Sequence, residues 1–238
     1  MSNLDKTTFP YKPPSKEIFD KYAHLFKIIV PIRERGFKRL LDIIISLILI
    51  LISSPVLIFI IISYNIEFFI NPKSRGKIFY YYKAISQSKE FNKYKIRVIY
   101  SNFIDKNLAS NNVWGAHKLE WNKNCLTFTG KFVKKFYLDE IPQFFNILNG
   151  DISLIGPRAL SVFHYNKDIE QGNIIRKFIR GGLIGNGHVH KGSDDMGNPE
   201  YEYEYLDSYI NSTFLDFYLL EFKIIIKSIV LVLKGGGH

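Results

Sequence analysis

The chain has very little cysteine. Its 238 residues contain a single one, Cys125. A lone cysteine cannot form an intrachain disulfide, and it cannot supply the several thiolates of a cysteine-rich metal site. The sequence therefore excludes a fold held by disulfides, and its length is sufficient for a core that needs none.

Acidic side chains are also scarce. Asp and Glu number 22 against 32 Lys and Arg, which gives a formal net charge of +10. Disorder is excluded by 20 Phe and 15 Tyr, because disordered chains are poor in large apolar groups. A basic chain in which 47% of residues are hydrophobic indicates acidic partners: a membrane face, nucleic acid or phosphorylated substrates.

No charged residue interrupts the stretch from Ile43 to Ile66, which is long enough to cross a bilayer. It begins too far into the chain, and lacks the small-residue cleavage pattern, for a removed secretory signal. One interpretation is a transmembrane helix. The other is a helix-break-helix that dips into one leaflet and returns, because Ser53, Ser54 and Pro55 form a bend signal at its middle. Basic residues at both ends favour the second, since neither end is then marked for translocation: Arg33, Arg35, Lys38, Arg39, Lys73, Arg75 and Lys77.

The segments near the two termini also show patterns. Residues 1–15 are polar and proline-rich and predict a loop. From Lys16 to Ile32, apolar residues at helical spacing predict a helix that either faces the core or lies at the membrane interface. The stretch from Phe214 to Lys234 is apolar but interrupted by charges, which favours a half-buried or interfacial helix over a span.

Basic and aromatic residues interleave between Lys73 and Arg97, where eight basic side chains meet one acid, Glu90. Short alternation of residue types predicts strands here, arranged as a hairpin. A basic stripe with aromatics could bind single-stranded nucleic acid, but no nucleic-acid motif accompanies it. Attraction to anionic lipid headgroups is the simpler explanation beside a membrane segment.

The segment from Thr127 to Arg158 carries the candidate chemistry. Pro142 is tolerated only in a first helical turn, so Asp139 and Glu140 lie at or just before a helix N-terminus. Capping of that helix would explain an Asp there. The same location keeps a carboxylate ionised, so that Asp139 could attack phosphorus while Glu140 holds Mg²⁺. Arg158, on a Gly-Pro turn, could bind a phosphate edge or could be a solvated surface residue.

Taken in order, these motifs resemble those of the monotopic phosphoglycosyl transferases, the bacterial sugar transferase family that starts glycan assembly on a polyprenol phosphate. The specific motifs are Leu138-Asp139-Glu140-Ile141-Pro142-Gln143 and the run from Asn146 to Gly156-Pro157-Arg158. The weaker matches are Lys38-Arg39-Leu40-Leu41-Asp42, Ser54-Pro55, Lys95-Ile96-Arg97 and the ending from Leu206 to Asp216.

The resemblance implies an α+β, mostly helical monotopic membrane protein. Its expected parts are an N-terminal tail with an interfacial helix (1–36), a re-entrant membrane helix broken at Ser54-Pro55 (37–72) and a cytoplasmic catalytic domain (73–238). The implied reaction moves a sugar-1-phosphate from a UDP-sugar to polyprenol phosphate and releases UMP, at the cytoplasmic face of the bacterial inner membrane.

The resemblance also implies roles for individual residues. Asp139 would be the nucleophile, Glu140 the Mg²⁺ ligand and Arg158 a phosphate clamp. Further substrate contacts are expected from Lys95, Arg97, Gln143, Gly156 and Pro157. Anionic lipids and glycosyltransferases of the same pathway are the expected further partners, and nucleic acid is not expected.

Several residues depart from the family pattern, among them Val98-Ile99 in place of Thr-Met and the segment from Gly181 to His188. Ala84 and Ser86 stand in place of the Arg and Gly of an Arg-x-Gly motif, Ala159 replaces a Pro after Gly-Pro-Arg, and His188 replaces a Gln. These changes leave the predicted nucleophile intact but alter contacts to nucleotide or sugar. An alternative is therefore a non-catalytic scaffold of the same fold that recruits glycosyltransferases.

The remaining candidates are weaker. On a strand, His188 and His190 would face one side, as zinc ligands sometimes do, with only Asp194 or Asp195 nearby as a third ligand. The glycine-rich segment from Gly181 to Gly187 predicts a flexible loop rather than a phosphate cradle. Glu and Tyr alternate from Glu200 to Tyr205, which predicts a solvated face.

Overall fold

The computed structural model describes residues 11–104, 119–187 and 197–233. The chain divides into two compact units that alternate along the sequence. The described residues of the first unit are 11–39, 84–91, 151–187 and 197–231. Those of the second unit are 40–83, 92–104, 119–150 and 232–233.

The fold is α+β and mostly helical, as predicted. The helices in the described ranges are α1 (Lys16–Lys21), α2 (Gly36–Ile70), α3 (Phe128–Lys135), α4 (Gln143–Asn149), α5 (Val162–Glu170), α6 (Ile175–Phe178), α7 (Glu200–Asn211) and α8 (Phe214–Leu233). The strands are β1 (Phe79–Ser86), β2 (Lys89–Ile96), β3 (Ser153–Ile155), β4 (Leu160–Ser161) and β5 (Gly182–Ile184). One sheet has the order β2-β1-β4, and β3 pairs in parallel with β5.

Helix α2 is, within the described ranges, the one helix long and apolar enough to cross a membrane. Its most apolar window has a mean hydropathy of 3.0, and only 11% of that window is buried, unlike the mostly buried core helix of a soluble protein. The helix is assigned without interruption through Pro55. The Ser54 hydroxyl donates to the Leu51 carbonyl at 2.8 Å, the acceptor that Pro55 leaves without an amide donor. The Ser-Pro motif thus lies inside one helix, and a re-entrant path stays a prediction.

The core of the second unit forms where α2 packs against the segment after β2 and against α3. Its buried members include Ile60, Tyr64, Ile96, Val98, Ile99, Cys125, Leu126 and Val133. The two carboxylate oxygens of Glu67 accept the amide hydrogens of Phe128 and Thr129, each at 2.9 Å, and so cap the start of α3. Gly130 allows α3 to approach this closely, because a Cβ there would collide with the Val98 carbonyl oxygen.

Residues 11–32, which we call the strap, belong to the first unit. The predicted helix over 16–32 was too long: α1 ends at Lys21, a 3₁₀ turn follows at Leu25–Lys27, and the chain is then extended. Pro31 disfavours helical backbone at the residue before it, which the periodic pattern does not reveal. Ile18 and Leu25 are buried, whereas Ile29 is 88% exposed, so the strap faces the core at its helical end only.

Helices α7 and α8 form the other side of the first unit. The alternating Glu and Tyr residues lie on α7, and the predicted solvated face was wrong for Glu202, which is only 6% exposed. On α8, Phe217 and Ile224 are buried. Glu221 is buried as well and pairs with Lys38 and the Tyr205 hydroxyl. The outer face of α8 exposes large apolar side chains: Phe214, Leu215, Leu219, Phe222, Ile226, Ile229 and Val230.

Candidate active site

Asp139 lies in a 3₁₀ turn, Leu138–Glu140, that runs directly into α4. The predicted short helix is confirmed, and it ends at Gly150 with the left-handed backbone (φ 84°) that favours glycine. Neither the turn nor α4, both within the described range 119–187, starts with a side-chain capping hydrogen bond. Asp139 is 2% exposed, so its carboxylate points into the unit and does not cap the helix.

Lys95, near the end of β2, is the partner of that carboxylate. Its Nζ lies 2.7 Å from Oδ2 of Asp139 and 4.0 Å from Oε1 of Glu140. Burial alone would lower the pKa of Lys95, but the carboxylates of Asp139, Glu120 and Glu140 together with Tyr80 hold it well above its usual range. Lys95 is therefore a permanent cation, and the structure brings three of the predicted site residues together.

The groups around Asp139 set the pKa of its carboxyl group. Burial raises the pKa of Asp139 above its usual value, and the ammonium of Lys95 opposes that rise. Among more distant groups, Lys134 also lowers the pKa of Asp139 and Glu120 raises it; these two form a pair of their own at 2.9 Å. Sequence reasoning missed this second pair, because two residues far apart in sequence carry no local signal.

Tyr80 of β1 also belongs to this surrounding. Burial raises the pKa of its phenol well above the usual value, while Lys95 lowers it and Glu120 and Asp139 raise it. The phenol therefore stays protonated beside the charged cluster. No motif marked Tyr80 in the sequence.

Gln143 is the first residue of α4 and follows Asp139 by four residues. Its side chain is fully buried. Among the described residues, neither its amide nitrogen nor its amide oxygen has a hydrogen-bond partner. A buried polar group left in this state costs about 1–3 kcal/mol, so this position can accept a water molecule or a polar group of a bound molecule.

Arg97 does not join the Lys95–Asp139 pair. Its guanidinium is buried and donates to three backbone carbonyls, those of Lys77 at 2.9 Å, Ile99 at 2.6 Å and Ser74 at 2.7 Å. Its Cζ also lies 5.6 Å from the centre of the Tyr64 ring. These contacts hold the loop before β1 to the segment after β2, and a substrate contact by Arg97 stays a prediction.

Gly156, Pro157 and Arg158 lie in the first unit, on the turn between β3 and β4. The Gly156 amide donates to the Ile184 carbonyl at 2.9 Å, and the Gly182 amide donates to the Pro157 carbonyl at 2.8 Å. A Cβ on Gly156 would approach the Arg180 carbonyl oxygen to 2.8 Å, so only glycine fits. The predicted flexible loop beginning at Gly181 is instead strand β5 over part of its length, because it pairs with this turn.

Three of the residues that depart from the family pattern have structural partners in the same unit. Ser86 accepts the amide hydrogen of Gly181 at 2.9 Å through its hydroxyl. Ala84 pairs with Ser161 across β1 and β4. Ala159 is buried. A Cβ built at Gly181 would lie only 3.0 Å from the Cβ of Ala159, so there is little room for a side chain at position 181. His188, His190, Asp194 and Asp195 lie outside the described residues.

The side chains near Asp139 offer few ligands for Mg²⁺. Within the described part of the chain, no three His, Cys, Asp or Glu side chains group as metal ligands. Mg²⁺ often takes only one or two protein carboxylates and completes its shell with water and substrate phosphates. The Glu140 side chain is 17% exposed beside Asp139, which fits that shared coordination and not a cage built from protein alone.

The model of the bacterial sugar transferase family matches residues 33–235. A UDP-N-acetylgalactosamine-undecaprenyl-phosphate N-acetylgalactosaminephosphotransferase of Aeromonas hydrophila is 27% identical over 84% of this chain and 44% of its own length. An undecaprenyl-phosphate galactose phosphotransferase of Salmonella typhimurium is 33% identical over 53% of this chain and 27% of its own length. A UDP-glucose:undecaprenyl-phosphate glucose-1-phosphate transferase of Klebsiella pneumoniae is 30% identical over 63% of this chain. The chain spans less than half the length of each of these relatives.

Proposed function

The chain belongs to the bacterial sugar transferase family, and from that premise we propose that it transfers a sugar-1-phosphate from a UDP-sugar to a polyprenol phosphate. The observation that carries the proposal is the buried ion pair of Lys95 and Asp139, with Glu140 beside it. A carboxylate that is enclosed, with a fixed cation that opposes the rise of its pKa, has the properties of a nucleophile. The names of the relatives, which act on undecaprenyl phosphate, supply the substrate class.

In the first half-reaction, a carboxylate oxygen of Asp139 attacks the sugar-bearing phosphorus of the UDP-sugar. The bond from that phosphorus to the bridging oxygen breaks, and UMP leaves with the bond's electron pair. The product on the protein is an aspartyl phosphosugar, a mixed anhydride. Arg158, assigned by its position in the Gly-Pro-Arg motif, would bind phosphate oxygens with two parallel donors.

In the second half-reaction, a phosphate oxygen of the polyprenol phosphate attacks the same phosphorus. The Asp139–phosphorus bond breaks, and the polyprenyl diphosphate sugar leaves with the carboxylate regenerated. Lys95 favours the anionic form of Asp139 before the first attack and again when the carboxylate is the leaving group. Two successive displacements predict ping-pong kinetics.

Glu140 would hold Mg²⁺ together with the diphosphate of the donor. A bound Mg²⁺ would supply neutralisation of the diphosphate charge. The buried amide of Gln143, four residues after Asp139, would bind a water molecule or a polar substrate group. Gly156 and Pro157 shape the turn that carries Arg158.

The membrane topology belongs to the same proposal. We place both ends of α2 on the cytoplasmic side of the bacterial inner membrane, because both flanks are basic and Ser54-Pro55 weakens the helix at its middle. The exposed apolar face of α8 would lie at the interface, next to anionic lipids attracted by the basic chain. Glycosyltransferases of the same pathway would be further partners.

The activity is tested with purified full-length protein, Mg²⁺, undecaprenyl phosphate and UDP-glucose, UDP-galactose or UDP-N-acetylgalactosamine. UMP release is expected from at least one donor and should be lost in Asp139→Asn. Glu90→Gln removes an exposed carboxylate from β2 and should leave the rate unchanged. No UMP from any of a broad set of nucleotide sugars would support the scaffold alternative instead.

The intermediate is tested by omitting the lipid acceptor. Intact-protein and peptide mass spectrometry should then show one added sugar phosphate on the peptide that contains Asp139. An adduct on a different residue would refute the assigned nucleophile while leaving transferase activity intact.

The topology is tested by labelling single cysteines at the exposed positions Arg33 and Lys73 with a membrane-impermeant maleimide in sealed vesicles. Cys125 is buried, so the background is low. A re-entrant helix predicts equal access from one side of the membrane at both positions. Opposite accessibility would establish a spanning helix.

A further inference from the structure

A buried charge cluster in the first unit lies directly behind the Gly-Pro-Arg turn. Arg176 of α6 contacts Asp168 of α5 and Glu202 of α7, each at 2.5 Å. The guanidinium uses its third nitrogen as well, because Nε donates to the backbone carbonyl of Arg158 at 3.0 Å. We call Asp168, Arg176 and Glu202 the triad.

The charged groups of the triad change one another's pKa values. Burial would lower the pKa of Arg176, yet Glu202 and Asp168 hold it above its usual range. Burial raises the pKa of Glu202 to about 7. Arg176 lowers this pKa, but the neighbouring carboxylate of Asp168, which shares the same guanidinium, raises it. All three nitrogens of the guanidinium thus donate to an acceptor.

The strap covers this triad from the outside. The ring of Tyr11 lies over the Arg176 guanidinium, 4.4 Å from Cζ to the ring centre. Asn173 links Asp168 to the strap, since its amide donates to Asp168 at 2.9 Å and to the Lys12 carbonyl at 3.1 Å. Burial raises the pKa of the Tyr11 phenol, while Arg176 and, more weakly, Arg158 lower it, so the phenol lies within electrostatic reach of both arginines.

The turn that carries Arg158 therefore has two supports. On one side, β5 holds it through the Gly182 amide and a bridge between Arg158 and Gly182. On the other side, Arg176 holds it through the bond to the Arg158 carbonyl, and the Tyr11 ring covers that guanidinium. The family model begins at residue 33, so the strap lies before the matched residues and adds to the family domain.

We propose that Tyr11 and the triad form a positioning device for Arg158, in which the strap sets the affinity for the phosphate-bearing substrate. Tyr11 and Arg176 are positioning residues and touch no substrate. The ring of Tyr11 keeps the guanidinium of Arg176 in plane, Arg176 holds the Arg158 carbonyl, and the turn presents the Arg158 side chain. The inference rests on the proposed function for the role of Arg158.

Two measurements on the full-length protein test it. In Tyr11→Ala, amide hydrogen exchange of the peptide covering residues 154–160 should become at least about fivefold faster, because the support of the turn loosens. Calorimetric affinity for the probe UDP in the presence of Mg²⁺ should weaken by up to about tenfold, because a loosened turn loses the charge-assisted hydrogen bonding of Arg158 to the diphosphate. Tyr11→Phe keeps the ring and should restore most of both properties.

Phe19→Ala is the matched control, since Phe19 is an aromatic residue of the strap that packs on Phe26, at 4.5 Å between ring centres. It should leave exchange over 154–160 unchanged. Equal loosening by Phe19→Ala would show general strap docking and overturn the proposal, as would unchanged exchange in Tyr11→Ala. If Tyr11→Ala does not fold, Tyr11→Leu replaces it. Exchange does not require catalysis, so a wild-type protein with a protected turn but no UMP release would contradict the proposed function alone.

Discussion

Removal of the Lys95 ammonium should change the pH at which the protein works. Unit charges 2.7 Å apart attract by about 6 kcal/mol at an effective dielectric constant of about 20. Desolvation of the two buried ions offsets much of that attraction, and measured effects of one neighbouring charge on a carboxyl pKa are about one to three pH units. Because the nucleophile must be ionised, Lys95→Met should move the acid limb of the kcat/KM profile up by that amount.

The assay is UMP release from the active UDP-sugar between pH 5 and 9, with kcat/KM measured at each pH, since that ratio reports groups of the free protein. Lys89→Met is the control, because Lys89 is exposed on the same strand and its loss changes the net charge equally. At a pH one unit below the shifted limb, the variant should be slower than the wild type by about 5-fold to 11-fold, and well below both limbs by about 10-fold to 1,000-fold.

The result has a clear contrary outcome. If Lys95 served only to bind substrate, its loss would raise KM at every pH and leave the acid limb in place. Such a uniform loss, or an acid limb that moves to lower pH, would refute the reasoning from the buried pair. An equal shift in Lys89→Met would show a general charge effect.

Three further predictions concern stability, each measured by chemical denaturation. Arg97→Lys should lower the free energy of unfolding by about 2–4 kcal/mol, because an ammonium cannot reach three carbonyls; a loss under about 1 kcal/mol would contradict this. Gly130→Ala should cost about 2 kcal/mol or more through collision with the Val98 carbonyl, and an unchanged midpoint would contradict that packing. Burial raises the pKa of Glu202 to about 7 in the folded protein from an ordinary 4.5, so the folded state binds its proton more tightly than the unfolded state. The free energy of unfolding should therefore fall by about 3 kcal/mol as the pH rises from 4.5 through 7, and this fall should be absent in Glu202→Gln. The same pH dependence in both proteins would rule out Glu202 as its source.

Local signals made parts of the molecule predictable. The uncharged run predicted a long apolar helix. The proline at 142 and glycine at 150 predicted α4. Each of these signals depends on residues within about one or two helical turns, so no tertiary information was needed.

Other features depended on tertiary packing and could not be predicted. Asp168, Arg176 and Glu202 lie on three different helices, and no spacing relates them. The alternation of Glu and Tyr does not show which Glu is buried. Glu202 is buried because it pairs with Arg176, whereas Glu204 is exposed. The capping interpretation of Asp139 was reasonable from its location, but the ion pair with Lys95 replaces it.

The buried pair of Lys38 and Glu221 has a consequence for biosynthesis. Its members are 183 residues apart in sequence. At about 5–20 residues per second, the ribosome needs roughly 10–40 s to reach Glu221 after Lys38 has been added. During that interval α2 is already synthesised, while Lys38 lacks the carboxylate of Glu221 and remains available to headgroup phosphates. The chain would therefore insert its apolar helix first and close the first unit around Lys38 only near the end of translation.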